Sequence, residues 1–283
     1  MWRLDRQRER LNRMFGRVFD TTTVDRVTGL IRPGLRLVTG EDVAVGRSHL
    51  GGLPRLDGTA PWPTHFETPL DLLAVIDVAE LGPCDLPGLP AGTRFLNFFF
   101  LADRPELLWT SDEPASTWRV VPAGPDAKER TAPVERLVRP ARPVGFVPVL
   151  TLPTWEDEVV ARTLGVAEGP YPPSPRYHLI ERYSAVTAAW NELVRDHLGA
   201  VENRIGGWPA PLQAPVFHRA ERDSASHRSS PADGGPWRLL LQLDTNDDSG
   251  WSWGDGGRLY FVITESRLRA GELTAAWLEL QSS

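Results

Sequence analysis

The 283-residue sequence predicts an α+β fold, with a mixed, mainly antiparallel sheet built from two duplicated β-rich units and helices packed outside it. Three observations support this prediction. First, four sequence blocks occur twice in the same order. Second, proline and glycine together make up about 18% of the chain, which favours short strands and turns over long helices. Third, no regular helices separate the apolar blocks, as a doubly wound parallel sheet would require.

Each copy of the repeat begins with a Gly-Gly turn and continues with three strand-like segments. Gly51-Gly52-Leu53-Pro54 matches Gly206-Gly207-Trp208-Pro209 at a separation of 155 residues. The following blocks are Leu72–Asp77, Arg94–Phe99 and Trp118–Val121, and then Leu239–Asp244, Arg258–Ile263 and Trp277–Leu280, at separations of 167, 164 and 159 residues. We therefore predict one domain over residues 1–283, with repeat one at about 30–150 and repeat two at about 184–283.

Composition narrows the class of protein. The formal net charge is −6, which suits a soluble protein and gives no basic footprint for nucleic acid. The single cysteine, Cys84, excludes an internal disulfide and a cysteine-rich zinc site, and it fits a reducing cytosol. No window reaches the roughly 18 apolar residues of a membrane span. We expect a cytoplasmic protein with no nucleic-acid or membrane partner.

The first half of the chain shows one helical pattern followed by strands. Apolar residues of the N-terminal segment recur at helical spacing, at Leu4, Leu11, Phe15, Val18 and Phe19. This helix either packs on the core or binds a partner or a membrane surface. Residues 35–38, 70–78, 95–101, 117–121 and 134–152 are predicted to form strands, with a polar loop at 122–133.

The second half contains two helical patterns and a polar stretch. Thr154 is a candidate N-cap, because acidic residues follow it. Residues 184–198 give the clearest helical pattern, with Ser184 as its cap and Gly199 beyond its end. The stretch from His218 to Pro236 holds charged residues, Ser, Gly and Pro with almost no apolar residues, so we predict a mobile surface loop there.

The densest polar cluster follows the strand that ends at Asp244. Asp244, Asn246, Asp248 and Asp255 stand at the first, third, fifth and twelfth positions of a segment, a spacing similar to that of a calcium loop. Gly250 falls one position late, however, and strands flank the segment in place of helices. The alternative is an acidic connection whose side chains form turns with their own backbone. We predict no cofactor, with Ca²⁺ or another divalent cation as the alternative.

Two tryptophans follow this acidic cluster. Trp251 and Trp253 alternate, so in a strand both indoles would point to the same face. They would either stack on a ligand or close one end of the core. A tight reversal at Gly254–Gly257 then leads into the next strand.

No catalytic motif is visible in the sequence. The six histidines form no His-Glu-x-x-His helix, and there is no Gly-x-Ser-x-Gly elbow. The polar residues His218, Glu221, Asp223 and His227 would either gather around a metal or remain solvated. We predict no catalytic residues, and the prediction leans against an enzyme.

Several segments resemble the YwqG-like proteins, a bacterial family of unknown function. The resemblance spans about residue 30 to the C-terminus, and its most specific part is Leu240-Gln242-Asp244 followed by Trp253-Gly254-Asp255-Gly256-Gly257-Arg258-Leu259-Tyr260-Phe261. Further matching segments are Arg47–Pro54, Leu72–Asp77 and Phe98–Phe100. Two positions depart from the family, because Asn203 and Ala210 stand where a His and an Asp are common. The resemblance implies a compact mixed α/β protein in the cytoplasm, with no established catalytic residues.

Two functions remain open from the sequence. Some relatives are similar to proteins encoded near toxin systems, so the resemblance hints at an immunity or partner-binding role. We predict a non-catalytic protein-binding or regulatory module. Its candidate surface comprises Asp244, Asp247, Asp248, Trp251, Trp253 and Asp255. The alternative is a small-molecule or divalent-metal-binding enzyme with a pocket between the two repeats, near residues 244–257.

Overall fold

The computed structural model describes residues 2–40, 46–166, 177–226, 235–246 and 250–282. Its helices are α1 (Leu4–Phe15), α2 (Thr21–Thr28), α3 (Leu107–Thr110), α4 (Glu158–Leu164), α5 (Tyr177–Leu198), α6 (Val216–Ser226) and α7 (Glu265–Ala270). The strands of the first half are β1 (Arg32–Val38), β2 (His49–Leu50), β3 (Arg55–Leu56), β4 (Thr64–His65), β5 (Thr68–Pro69), β6 (Asp71–Asp77), β7 (Phe95–Phe100), β8 (Trp118–Ala123) and β9 (Lys128–Glu129). They are followed by β10 (Arg142–Pro143), β11 (Gly145–Thr151), β12 (Arg204–Gly206), β13 (Trp237–Asp244), β14 (Arg258–Thr264) and β15 (Trp277–Gln281).

The strands form two main antiparallel sheets. Sheet A has the order β11-β1-β12-β13-β14-β15, and sheet B has the order β10-β2-β6-β7-β8. Two short ribbons, β3 with β9 and β4 with β5, complete the pairing of the described strands. The α+β fold class predicted from the sequence is confirmed.

The two sheets pack face to face and share one hydrophobic core. Phe98 of sheet B meets Phe261 of sheet A edge to face, with ring centroids 5.2 Å apart. Trp118 packs on Trp277 at 5.1 Å, and its indole N–H donates to the carbonyl of Ala276 at 2.8 Å. Strands β7 and β14 are buried along their whole length, so their sequences are almost continuously apolar.

Helices cover the outer side of sheet A around a second core. The apolar face of α1 is buried there through Leu11 and Phe15, so the N-terminal helix does pack on the core. The buried Gln7 also fixes α1 to β11, because its amide donates to Pro148 O at 2.9 Å and accepts from Leu150 N at 2.8 Å. From α5, the Trp190 indole donates to Leu150 O.

The two Gly-Gly turns have nearly the same conformation and contacts. Their φ angles are +64° and +73° in the first turn and +64° and +72° in the second, values that favour glycine. Before each turn a polar side chain accepts from the backbone N–H at the end of the neighbouring long strand. Ser48 Oγ accepts from Asp77, and Asn203 Oδ1 accepts from Asp244. These contacts support the duplication, which itself stays a prediction.

The predicted repeats do not each form one sheet. β1 and β11 lie within the sequence range of repeat one, yet both belong to sheet A with the strands of repeat two. β1 pairs with β11 on one side and with β12 on the other. The halves are therefore joined through backbone hydrogen bonds as well as through the shared core.

The predicted mobile loop is wrong over its first residues. Val216–Ser226 forms α6, because Val216 and Ala220 are buried one turn apart while charged side chains occupy the other sides of the helix. So short a stripe of small apolar residues is hard to recognise by composition. Residues 227–234, including His227, lie outside the described residues.

Two helix starts also differ from those predicted. α5 begins at Tyr177, so Ser184 lies inside the helix, and buried Ile180 and Tyr183 extend its apolar face towards the N-terminus. α4 follows Asp157, whose carboxylate accepts from both the backbone N–H and the hydroxyl of Thr154. Gly199 follows α5 with φ of +85°, as predicted.

Candidate functional site

Asp244 lies at the end of β13 and forms a two-point ion pair with Arg258 at the start of β14. Its Oδ1 and Oδ2 accept from Nε and Nη2 of Arg258, each at 3.0 Å. Oδ2 also accepts from the backbone N–H of Glu202 at 2.9 Å. A metal ion or ligand at Asp244 would therefore compete with a nearly buried arginine.

Asp244 belongs to a larger group of charges that we call the buried charge cluster. Its members are Arg36, Glu202, Arg204, Asp244 and Arg258. Four of them come from four adjacent strands of sheet A, β1, β12, β13 and β14 in that order. The cluster therefore joins four interior strands of sheet A through side chains.

The glutamate of this cluster is held as an anion. Burial raises the pKa of Glu202, but Arg204 and Arg36 outweigh that effect and lower it to about 2. Arg36 is itself fully buried, and its Nε and Nη2 donate to Val201 O and Gly199 O, each at 2.8 Å. This arrangement stabilises the sheet and offers no proton near neutral pH.

The two predicted tryptophans lie inside the molecule. Trp251 and Trp253 are 3% and 1% exposed, and their rings stack with centroids 5.3 Å apart. The Arg139 guanidinium covers the Trp251 ring at 4.1 Å, and Phe100 of sheet B meets Trp253 at 6.0 Å. This placement corresponds to the alternative in which the pair closes one end of the core.

The other members of the predicted surface and metal set are Asn246, Asp247, Asp248 and Asp255, and two of these are not described. Asp255 is exposed, Asn246 forms an isolated bridge with Trp251, and Asp247 and Asp248 lie outside the described residues. Within the described ranges, no group of three or more His, Cys, Asp or Glu side chains is placed to hold a metal ion. The predicted ligand surface and cation set stay predictions.

Of the predicted polar group His218, Glu221, Asp223 and His227, the three described members do not all line the same cavity. His218 and Glu221 line a cavity of about 280 Å³, where the Arg32 guanidinium stacks on Trp208 at 3.8 Å. Burial and the neighbouring Arg238 lower the pKa of Arg32 to about 10. Asp223 instead lines a different cavity.

A cleft lies where the edge strands β8 and β15 of the two sheets meet, and we call it the inter-sheet cleft. Its volume is about 230 Å³. Trp109, Trp118 and Trp277 line it together with charged side chains from α6 and β15. Those charged residues are Arg219, Asp223 and Glu279. Trp277 pairs with Val262, four residues along β14 from the Arg258 that holds Asp244, so this cleft is distant from the predicted pocket.

Glu279 is the unusual group in this cleft. Its side chain is 6% exposed, and its Oε1 lies 2.8 Å from Nε of Arg219 without meeting it at a hydrogen-bonding angle. Burial raises the pKa of Glu279 to about 7, Arg219 opposes the rise, and Asp223 adds to it. A carboxyl group so perturbed within a cleft is typical of a functional site.

No pattern in the sequence distinguishes Glu279 as a candidate site residue. The residue stands in the block Trp277–Leu280, which was interpreted only as a buried strand. The available indication was a lone carboxylate within an otherwise apolar block, between two leucines. The cleft itself depends on how the two sheets meet, which a single sequence does not reveal.

One comparison with known proteins identifies a family without an assigned activity. A family model described as a domain of unknown function (DUF1963) matches residues 48–282. No curated protein matches the chain. The expected family of unknown function is thereby supported, whereas the narrower YwqG-like name stays a prediction. Among the described helices, none is long and apolar enough to cross a membrane.

Proposed function

The chain belongs to the DUF1963 family of unknown function, and from that premise we propose that it is a binding module whose inter-sheet cleft receives a positively charged side chain of a protein partner. The single observation that carries the proposal is the buried carboxylate of Glu279 in the lining of a tryptophan-lined cleft. Aromatic faces combined with carboxylates are the chemistry that recognises ammonium and guanidinium groups.

The charge balance of the cleft favours a cation. The pKa of Glu279 stays raised although Arg219 lies beside it, because burial and the nearby Asp223 disfavour the ionised form. A second positive charge would stabilise the ionised carboxylate. Binding of a lysine or arginine side chain would therefore be coupled to loss of the proton from Glu279.

The size and rim of the cleft favour a protein side chain over a larger free ligand. Its volume of about 230 Å³ lies below the roughly 300–1,000 Å³ of typical small-molecule sites. At the rim, Trp109 is 62% exposed, which is unusual for so large an apolar side chain. Exposed tryptophans beside a pocket are common anchors of protein interfaces.

The test uses model side chains before any partner is known. N-acetyl-lysine methylamide and N-acetyl-arginine methylamide are titrated while the indole N–H signals of the tryptophans are followed by NMR. We expect saturable shifts of the Trp109 and Trp277 signals with both cations and none with N-acetyl-glutamine methylamide. Glu279→Gln should abolish the shifts.

Glu272→Gln serves as the matched control, because Glu272 is an exposed glutamate seven positions before Glu279. If the cations shift no indole signal, or shift the same signals in Glu279→Gln, the proposal is wrong. A crosslinked pull-down with the wild type and Glu279→Gln then identifies a partner as a protein retained only by the wild type.

The alternative prediction, a small-molecule or divalent-metal-binding enzyme near residues 244–257, depends on residues outside the described ranges. Thermal melting in calcium, magnesium and manganese tests it separately. A cation at about 100 times its dissociation constant would add about 2.7 kcal/mol to the free energy of unfolding. A rise in Tm of that size would support the alternative.

A further inference from the structure

The exposed flank of α1 carries a line of arginines. Arg3, Arg6, Arg10 and Arg13 follow one another at intervals of three or four residues, which places them on one side of the helix. All four are exposed, whereas Leu11 and the rest of the apolar face are turned to the core. The overall charge of the protein is −6, so this flank is a local exception.

These arginines surround a cavity and do not merely share a surface. The cavity has a volume of about 260 Å³, and we call it the arginine cavity. Its lining comprises the four arginines together with Trp2, Gln7 and Trp190. Trp2 stacks on Trp190 at 5.8 Å and on His197 at 4.4 Å, so the aromatic wall is fixed by packing.

The positive charge in the arginine cavity is only weakly compensated. Arg3 lies 3.4 Å from Asp5, and Arg13 lies 4.0 Å from Glu9. In both ion pairs, the two side chains are at least 60% exposed. Such pairs contribute little, typically less than about 1 kcal/mol. No carboxylate of the described residues lies within ion-pair distance of Arg6 or Arg10. The cavity therefore retains a concentration of uncompensated guanidinium groups.

We propose that the arginine cavity binds a small polyanion that carries several phosphate groups. A guanidinium donates two parallel hydrogen bonds to phosphate oxygens, and several converging guanidinium groups match several negative charges. The limited volume favours a compact ligand over a macromolecule. The amino end of α1 begins beside Arg3, and its helix dipole adds to the attraction. Except for Trp190, the residues that line this cavity lie outside residues 48–282, which match the family.

The experiment measures the binding of inorganic tripolyphosphate to the full chain by isothermal titration calorimetry in about 150 mM salt, where weak surface attraction is largely screened. We expect one site per chain. The double variant Arg6→Gln/Arg10→Gln should weaken binding by at least about tenfold. The matched control is Arg8→Gln, because Arg8 is exposed on the opposite side of α1 and should leave the affinity unchanged.

Four results would overturn the proposal. The first is the absence of tripolyphosphate binding to the wild type at about 1 mM. The second is a loss of affinity in Arg8→Gln as large as that in the double variant. The third is binding of orthophosphate as tight as that of tripolyphosphate, which would exclude recognition of several phosphate groups. The fourth is binding of a single-stranded oligonucleotide by a protein that does not bind tripolyphosphate, which would exclude a compact ligand. The substituted side chains are all exposed, so we expect each variant to fold. Melting temperatures equal to that of the wild type check this.

Discussion

Nη1 of Arg36 lies 2.8 Å from Oε2 of Glu202, and the arginine side chain is completely buried. The two residues are far apart in sequence, yet they join β1 to the segment that enters β12. Arg204 bonds to the same carboxylate oxygen. Glu202 is therefore the shared anion between two arginines, and its charge is essential to both of them.

Removing that charge should destabilise the protein strongly. We expect Glu202→Gln to lower the free energy of unfolding by about 3–5 kcal/mol, because it leaves the buried Arg36 without its anion. Urea denaturation at neutral pH measures the change. Glu272→Gln removes an exposed glutamate from its pair with Arg267 and should cost less than about 1 kcal/mol.

The same pair predicts an acid limb of the stability curve. The pKa of Glu202 is lowered from its ordinary value of 4.5 to about 2, so its ionised form stabilises the fold at pH above 4.5. That contribution is lost as the pH falls from about 4.5 to about 2. The limb should be flatter in Glu202→Gln, and an unchanged limb would contradict the assignment.

Glu279 should change the pH dependence of stability in the opposite direction to Glu202. Its pKa is raised from 4.5 to about 7, so the folded protein favours the protonated carboxyl group and loses stability as the pH rises from about 4.5 to about 7. As the pH rises from 4.5 to 8, the free energy of unfolding of Glu279→Gln should increase relative to that of the wild type by on the order of 1–3 kcal/mol. Unfolding curves of both proteins at the two pH values test this. A constant difference would show that Glu279 does not titrate in this range.

Trp253 should behave as a core residue. Replacing this buried and stacked indole by alanine should cost about 3–5 kcal/mol. Trp109→Ala removes an indole that is 62% exposed, so it should cost less than about 0.5 kcal/mol and weaken binding in the inter-sheet cleft. Thermal melting and the NMR titration measure the two effects. Similar stability losses in the two variants would be evidence against this placement of the tryptophans.

Gly207 should tolerate no side chain. With φ of +72°, an alanine would be strained, and its Cβ would collide with the side chain of Thr151. That hydroxyl accepts from Trp208 N and donates to Arg32 O, each at 2.8 Å, so it has little freedom to move. We expect Gly207→Ala to cost about 1–3 kcal/mol more than Gly92→Ala. Gly92 is the control, because it has φ of +89° with no described atom within 4 Å of the added Cβ.

The sequence predicts the fold better than it predicts the site. Continuous apolar runs identified the long strands, because β6, β7, β13 and β14 are buried on both faces. The Gly-Gly turns were recognisable because their positive φ angles require glycine. Helix α6 was missed because its buried stripe consists of few and mostly small residues.

The candidate site is harder to predict from the sequence than the fold, for a physical reason. A cluster such as Asp244 to Asp255 is conspicuous in sequence, but the sequence does not show that Arg258 occupies the Asp244 carboxylate. Glu279, in contrast, is inconspicuous along the chain and acquires its altered pKa only from burial beside α6, where Arg219 and Asp223 lie. Properties that depend on contacts between distant segments are not visible in local patterns.

The position of β1 separates the boundary of the matched family from the boundary of the autonomous folding unit. β1 is an interior strand of sheet A, between β11 and β12, although residues 32–38 precede the matched segment at 48–282. A polypeptide that starts at residue 48 would leave β11 detached and expose the backbone edge of β12 to other chains. Truncation at the homology boundary would therefore favour aggregation, and fragments for expression should retain the first helices and β1.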